Sequence, residues 1–305
     1  MTYNQLWKRL TAIYNEREAQ AIVRTVLDAL FGMSLTDICL GKVTQLSADD
    51  TTRLEKIMQR LEKSEPVQYV LGSGWFAGRL FDVAPGVLIP RPETEDLVKW
   101  TCDEAKEKEK EDNSKEERGK EEKEVPEKGE EAPHPSILDI GTGSGCIAIT
   151  VALALPQARV TAWDISTDAL AIAAGNAHRL GASVRFEHQD ALSAPDDEER
   201  WDVIVSSPPY ICDRERADMS DNVLSYEPAL ALFVPDSDPL LFYRAIARYA
   251  SKALKPGGRL LFETNTAYAH EVAQTIANEG FTAIEVRNDC FGKPRMVKGA
   301  FIREE

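Results

Sequence analysis

An open α/β sheet preceded by a small helical unit is the fold this sequence predicts, and three observations predict it. A short apolar run, Ser136–Asp139, passes through Gly141, Gly143 and Gly145 into the apolar segment 146–154, which is the pattern of a strand, a tight turn and a buried helix. Further strand-like runs at 158–163, 184–189 and 202–206 follow, the first two closing on Asp164 and Asp190 and the third running into Ser207. The chain has 305 residues and 43% apolar content, enough for one larger domain and a smaller one.

The smaller domain comes first. Residues 4–31 read as helical, and Ser47–Asp50 is a capping box ahead of Leu54, Ile57, Met58 and Leu61, whose spacing makes one apolar helical face. Residues 1–66 are therefore expected to form a helical domain. Residues 67–90, with Gly72, Gly74, Gly78 and Gly86 between apolar runs, read as a β-hairpin linker into a larger domain at 91–305. That domain is interrupted at 104–131 by eight basic and thirteen acidic residues with Val125 as the single large apolar one, a composition expected to give a solvated or disordered insert, with a partial charged helix as the competing form. After the run 258–262, the segments 281–286 and 295–302 read as a closing hairpin that makes the sheet mixed.

The glycine turn is G-x-G-x-G. A dinucleotide fingerprint would need a further glycine at 146, where Cys146 stands. Without a Cβ at these positions the backbone turns sharply and a ligand can lie against it, facing the amides of the helix that follows. Asp139, Gly141, Thr142, Gly143, Ser144 and Gly145 are the candidate cofactor loop. Asp164 stands where an acid accepts from a ribose diol, and Asp190 where an acid accepts from an adenine amino group, with Ala191 packing near the ring. Three acids, with no Lys or Arg in the turn, repel a pyrophosphate and tolerate a sulfonium and an ammonium. The expected cofactor is S-adenosyl-L-methionine in preference to a nicotinamide dinucleotide.

The second motif, Ser207-Pro208-Pro209-Tyr210, continues the run 202–206 at the carboxyl end of the sheet, the edge at which open α/β sheets bind ligands. Two prolines remove two backbone donors and hold the turn's carbonyls rigid as acceptors for an NH2 group, while Tyr210 offers a flat face to a planar amide or base. Amide and aromatic amino nitrogens are poor nucleophiles, and their methylation passes through a positively charged nitrogen. Acceptors around that nitrogen, with in-line orientation, supply the catalysis without a general base.

With these motifs in view, the chain resembles the release-factor glutamine N5-methyltransferases, the PrmC or HemK family. The resemblance covers nearly all of the chain outside the charged insert. It extends to Pro66–Gly72, Val87–Glu95 (Val-Leu-Ile-Pro-Arg-Pro-Glu-Thr-Glu), Tyr226–Leu230 and Leu240–Ile246, of which the second and third separate this family from DNA adenine methyltransferases. It implies a class I, Rossmann-like S-adenosylmethionine-dependent methyltransferase sheet. The implied reaction is methyl transfer to the glutamine of the Gly-Gly-Gln motif in class I peptide-chain release factors, with the helical domain helping to dock that partner. Ser207, Pro208, Pro209 and Tyr210 become the catalytic tetrad, with Ser207 also lining the cofactor site and Arg91, Glu93, Thr94 and Glu227 as substrate-lining candidates. Two departures stand out. The family has Asn where this chain has Ser207, which leaves one rotatable hydroxyl in place of a two-sided amide and implies retained but slower catalysis. The family's Glu-x-Gly after the fifth strand is Glu263-Thr264-Asn265 here, with no effect readable from sequence.

The net charge of −15 is global, since the insert accounts for −5 and leaves −10 on the rest. Such a surface is unfavourable for a phosphate backbone and favours a protein substrate over duplex DNA, although an N6-adenine methyltransferase and a noncatalytic S-adenosylmethionine-binding homologue stay open. Five scattered cysteines without a C-x-x-C pair suggest neither zinc nor a disulfide framework, and the four histidines pair with no motif. With no apolar run of spanning length and no signal peptide core, a cytoplasmic monomer is expected.

Overall fold

The structure, a computed structural model, describes residues 1–120 and 134–302, the side chains of 115–120 apart. It divides into two units: Met1–Ser73 with Val83–Pro85 and Asp218–Glu227, and Gly74–Asp82 with Gly86–Ala217 and the remainder from Pro228.

In the helical unit, α1 (Tyr3–Arg9), α2 (Glu16–Phe31), α3 (Leu35–Cys39), α4 (Ala48–Leu61) and α5 (Val67–Leu71) enclose Leu6, Leu10, Val23, Leu27, Leu54, Met58 and Leu61, all fully buried. The stretch expected as one helical run is two helices, because Asn15 accepts from the Glu18 amide and starts α2 afresh. Ser47 caps α4 through the Asp50 amide. Residues 67–71 belong to this unit as α5 and not to a hairpin. Here α5 follows directly on Pro66 and stops at Gly72, whose positive φ breaks the helix.

The hairpin itself is shorter than expected. In the second unit β1 (Ser73–Phe76) and β2 (Arg79–Asp82) meet across Ala77–Gly78, both with positive φ, as a two-residue hairpin loop requires. Phe76 and Phe81 pack edge to face at 5.9 Å within the core of this unit, so the hairpin is more than a linker.

The chain continues through α6 (Thr94–Lys120), β3 (Ser136–Ile140), α7 (Cys146–Ala154), β4 (Arg159–Asp164), α8 (Thr167–Leu180), β5 (Val184–His188), β6 (Trp201–Ser206) and β7 (Ile211–Cys212). Next come α9 (Asp221–Tyr226), which groups with the helical unit, α10 (Ala229–Leu232), β8 (Phe233–Val234) and α11 (Leu241–Ala253). The last elements are β9 (Leu254–Glu263), α12 (Ala269–Asn278), β10 (Phe281–Asn288) and β11 (Pro294–Phe301). Seven strands form one sheet in the order β10-β11-β9-β6-β3-β4-β5, with β9 through β5 parallel and β11 antiparallel to both its neighbours. The strands alternate: Ile137, Val160, Val203, Val205 and Leu261 face the layer of α6, α7 and α8. Leu138, Ile140, Ile204, Leu260 and Phe262 face α11 and α12. After β3 the connections run to β4 and β5 on one side and to β6 and β9 on the other, which makes the β3/β6 junction the topological switch point.

The charged segment takes its competing, helical form as far as it is described. The chain is helical from Thr94 to Lys120, and Glu104 and Lys108 are buried. Burial is possible because Glu104 accepts from Trp100 Nε1 (2.9 Å), Arg259 Nε (3.2 Å) and Lys298 Nζ (2.5 Å), partners 155 and 194 residues away for the last two, while Lys108 pairs with Asp112. Residues 121–131 of the expected insert lie outside the described residues.

Phe81 is fully buried between the hairpin and the helix layer. Phe81→Ala is expected to lower the unfolding free energy by about 3–5 kcal/mol, read as a drop in urea midpoint with an unchanged slope.

Candidate active site

The site grows from the tip of β3. Asp139 is wholly buried; its Oδ2 accepts from Thr142 Oγ1 at 2.7 Å and from the Ala148 amide at 3.2 Å, which ties the glycine turn to the first turn of α7. The Gly141 and Thr142 amides both donate to the Trp163 carbonyl at 2.9 Å, and Asp164 Oδ2 accepts from the Gly143 amide at 2.8 Å, so β4 holds the turn from the other side. Asp164 Oδ1 takes the Ser166 amide at 2.9 Å. Expected to hold a ribose, Asp164 thus also braces the loop.

The three glycines have different reasons. All have positive φ, but a Cβ on Gly141 or Gly143 would meet nothing within 4 Å, whereas one on Gly145 would sit 2.7 Å from Ile149 Cδ1 and 3.1 Å from Ala173 Cβ. Gly145 lets α8 press onto the turn, and Gly141 and Gly143 leave it open for a ligand. Thr142 and Ser144 are nearly inaccessible; the Ser144 carbonyl is held by Asn176 Nδ2 at 3.0 Å, and the same amide group bridges to the Asp82 carbonyl. Asp190 Oδ1 accepts from the Leu192 amide at 2.8 Å and caps a short 3-10 turn that carries Ala191.

Burial pushes the Asp139 carboxyl up to about 7, against the lowering effect of its bonds to Thr142 and Ala148 and with a smaller push from Asp164. One of its oxygens, Oδ1, is buried without a hydrogen-bond partner. An orphaned acidic oxygen, a turn with open Cα faces, two more acids at neighbouring strand tips and no basic side chain in the turn fit the cationic end and the nucleoside of S-adenosylmethionine, and they oppose a pyrophosphate.

The second half of the site lies one strand over. Ser206 pairs with Ile140 on β3 and with Phe262 on β9, and its hydroxyl donates to the Ile140 carbonyl at 2.7 Å. Ser207-Pro208-Pro209-Tyr210 therefore leaves β6 directly between the glycine turn and the end of β9. The Tyr210 carbonyl is fixed by Asn265 Nδ2 at 3.2 Å, and Asn265 also bonds the Glu215 carboxylate at 3.0 and 3.1 Å, so the departure at 265 pins the acceptor turn. Burial raises the Tyr210 hydroxyl above its ordinary range, aided by the charge of Glu263 and opposed by Arg295 and Arg91. It stays neutral at working pH.

Glu263 was not among the candidates. Its carboxylate is almost completely buried, accepts from Thr94 Oγ1 at 2.8 Å and from the Tyr210 hydroxyl at a long 3.4 Å, and is faced by the Ser207 hydroxyl and by Arg295. Burial raises its pKa even so, with Thr94, Arg295 and Ser207 favouring the charged form and Glu93 opposing it. The signal in the sequence was that Glu263 closes the fifth strand as Asp139, Asp164 and Asp190 close theirs. Thr94 is thereby placed in the site, and Arg91 and Glu93 act on Tyr210 through their charges. Glu227 ends α9 and groups with the helical unit.

A parallel sheet with an acid-rimmed glycine turn beside a rigid acceptor turn defines an enzyme that uses S-adenosylmethionine as methyl donor. Comparison with known proteins narrows the class. The family model described as PrmC N-terminal domain matches residues 3–72, and that described as Methyltransferase small domain matches residues 127–225. The chain is 44% identical over 289 residues to a release factor glutamine methyltransferase of Bacteroides thetaiotaomicron, covering 94% of this chain and 95% of that one. It is 36% identical to one of Flavobacterium psychrophilum, with 97% of each chain covered, and 38% identical to one of Neisseria gonorrhoeae, with 82% of each. The chain belongs to the release factor glutamine methyltransferase family.

Two outcomes follow from the glycine turn. Gly145→Ala forces either Ile149 or α8 to move and is expected to cost about 1–3 kcal/mol of stability and to weaken S-adenosylmethionine binding, both measurable by calorimetry. For Asp139, an acid whose folded pKa exceeds its unfolded one keeps a proton in the folded state that the unfolded chain has lost. Stability contributed by this group therefore falls as pH rises from the ordinary aspartate range to about 7 and is level beyond it. Thermal midpoints across that window should show the slope, and Asp139→Asn should remove it.

Proposed function

We propose that this protein transfers the methyl group of S-adenosylmethionine to the side-chain amide nitrogen of a glutamine, and that the glutamine is the one in the Gly-Gly-Gln motif of class I peptide-chain release factors. The observation that carries the proposal is the register of β6. It sets the Ser-Pro-Pro-Tyr turn between the glycine turn of β3 and the end of β9, within one strand spacing of each.

The bound cofactor supplies an electrophilic methyl on a cationic sulfur. This chain's residues supply the rest. Asp139, Asp164 and Asp190, at the tips of β3, β4 and β5, favour that cation and its nucleoside. The Pro208 carbonyl and the Ser207 hydroxyl accept from the two hydrogens of the carboxamide NH2, which turns the nitrogen lone pair away from them and toward the donor. The same oxygens would gather the positive charge that grows on nitrogen as its bond to the methyl carbon forms and the carbon–sulfur bond of the donor breaks, with the surplus N–H proton passing to solvent afterwards, so their benefit is larger in the transition state than in the bound substrate. Tyr210, neutral and with its carbonyl anchored by Asn265, lies flat against the carboxamide plane. Prolines at 208 and 209 keep these acceptors from collapsing onto amide donors of their own.

A glutamine side chain on a protein suits this chain better than a base in duplex DNA, because a net charge of −15 disfavours a phosphate backbone. Support for the release factor as that protein comes from the family.

Mass spectrometry of a release factor incubated with the enzyme and S-adenosylmethionine is expected to find one methyl on the Gly-Gly-Gln glutamine. Labelled methyl appearing only in adenine-containing nucleic acid would overturn the reading. Tyr210→Ala should cut kcat by on the order of tenfold to a hundredfold through misplacement of the amide. Ser207→Asn should maintain or raise it.

A further inference from the structure

Glu263 has no part in the cofactor turn, yet its carboxylate is almost fully buried beside the acceptor turn: Thr94 of α6 and Tyr210 of the acceptor turn donate to it, and the register that pairs Ser206 with Phe262 sets Ser207 next to it. The groups that face it from other elements are Arg295 of β11, Glu93 ahead of α6, Tyr243 of α11 and Cys146 of α7. A carboxylate without a proton only accepts, so each hydroxyl beside it must donate. Ser207 differs from Thr94 and Tyr210 in standing at the head of the tetrad, where the direction of its one hydrogen decides what it offers a substrate. If that hydrogen pointed outward, the hydroxyl would compete with the carboxamide NH2 by offering it another donor.

Building on the proposed methyl transfer to an amide, we propose that Glu263 is a positioning residue that takes the Ser207 hydroxyl hydrogen and so fixes the serine oxygen as an acceptor for the substrate NH2. Ser207 so fixed presents the acceptor half of what a carboxamide side chain would present at position 207. Thr94 and Arg295 favour the charged carboxylate, and the 2.8 Å bond from Thr94 to Oε2 orients it for this task. The arrangement accounts for a serine at a position where a rotatable hydroxyl alone would specify no direction.

The test measures methylation of a release factor by the wild type, Glu263→Gln, Ser207→Asn and the double variant, with S-adenosylmethionine affinity by calorimetry as the control for folding. Glu263→Gln is expected to lower kcat by about ten- to a hundredfold with little change in KM or cofactor affinity, since its amide can donate into Ser207 and turn the hydroxyl outward. Ser207→Asn placed on top of it should restore kcat to near that of Ser207→Asn alone, because an asparagine carries its own acceptor. A second reading needs no change at 263. The wild type should lose kcat on the acid side as Glu263 takes up a proton, in a limb lying above the ordinary glutamate range, and Ser207→Asn should lack that limb. An unaffected kcat in Glu263→Gln, a double variant as slow as Glu263→Gln despite full cofactor binding, or the same acid limb with and without Ser207 would each overturn the proposal. Absence of release-factor methylation by the wild type at every pH would instead bring down the underlying reading of the function.

Discussion

The carboxylate of Asp139, sealed from water at the tip of the central strand, is the interaction on which the rest of this site depends. It collects the Thr142 hydroxyl and the Ala148 amide and so bends the chain from β3 into α7 in the one way that leaves Gly141 and Gly143 facing outward. Asp164 repeats the device from β4 by holding the Gly143 amide. An acid kept this dry resists ionisation, and a cation brought beside it relieves the cost. Structural bracing and preference for a positively charged cofactor therefore have one source.

Sheet order converts that local geometry into an active site. Because β6 lies between β3 and β9, the acceptor turn emerges with a buried acid on either hand, Asp139 toward the cofactor turn and Glu263 on the far side. Ser206 fastens the junction through the Ile140 carbonyl, and Asn265 fastens the end of the tetrad through the Tyr210 carbonyl. The acceptor turn is short, and it is held at both ends by hydrogen bonds, from Ser206 to Ile140 and from Asn265 to Tyr210. Rigidity of this kind suits a reaction whose main requirement is alignment.

Much of this was legible in the residues. Short apolar runs, three of them closing on an acid, marked the strands, and Gly141 to Gly145 marked the turn, since only glycine adopts these backbone angles without strain. Other features were not legible. Glu104 and Lys108 sit in a run of alternating charges that composition assigns to solvent, and they are buried because Arg259 and Lys298 return from the far end of the chain to meet Glu104. Residues 67–71 carry glycine-rich neighbours that suggest a hairpin, and the helical start after Pro66 wins instead. Glu263 looked like the end of a strand; its partner Thr94 is 169 residues away.

Local stereochemistry by itself determined the strands, the glycine turn, the proline-stiffened acceptor turn and the family, because each rests on neighbours in the chain. What only the tertiary structure decided is which carboxylates are dry, which hydroxyls face them, and that Gly145 is packed against Ile149 and Ala173 while the Cα faces of Gly141 and Gly143 are open. The physical reason is that desolvation and hydrogen-bond direction are properties of an enclosed volume. Residues from α6, the acceptor turn, β9 and β11 close that volume around Glu263 only when the sheet has formed.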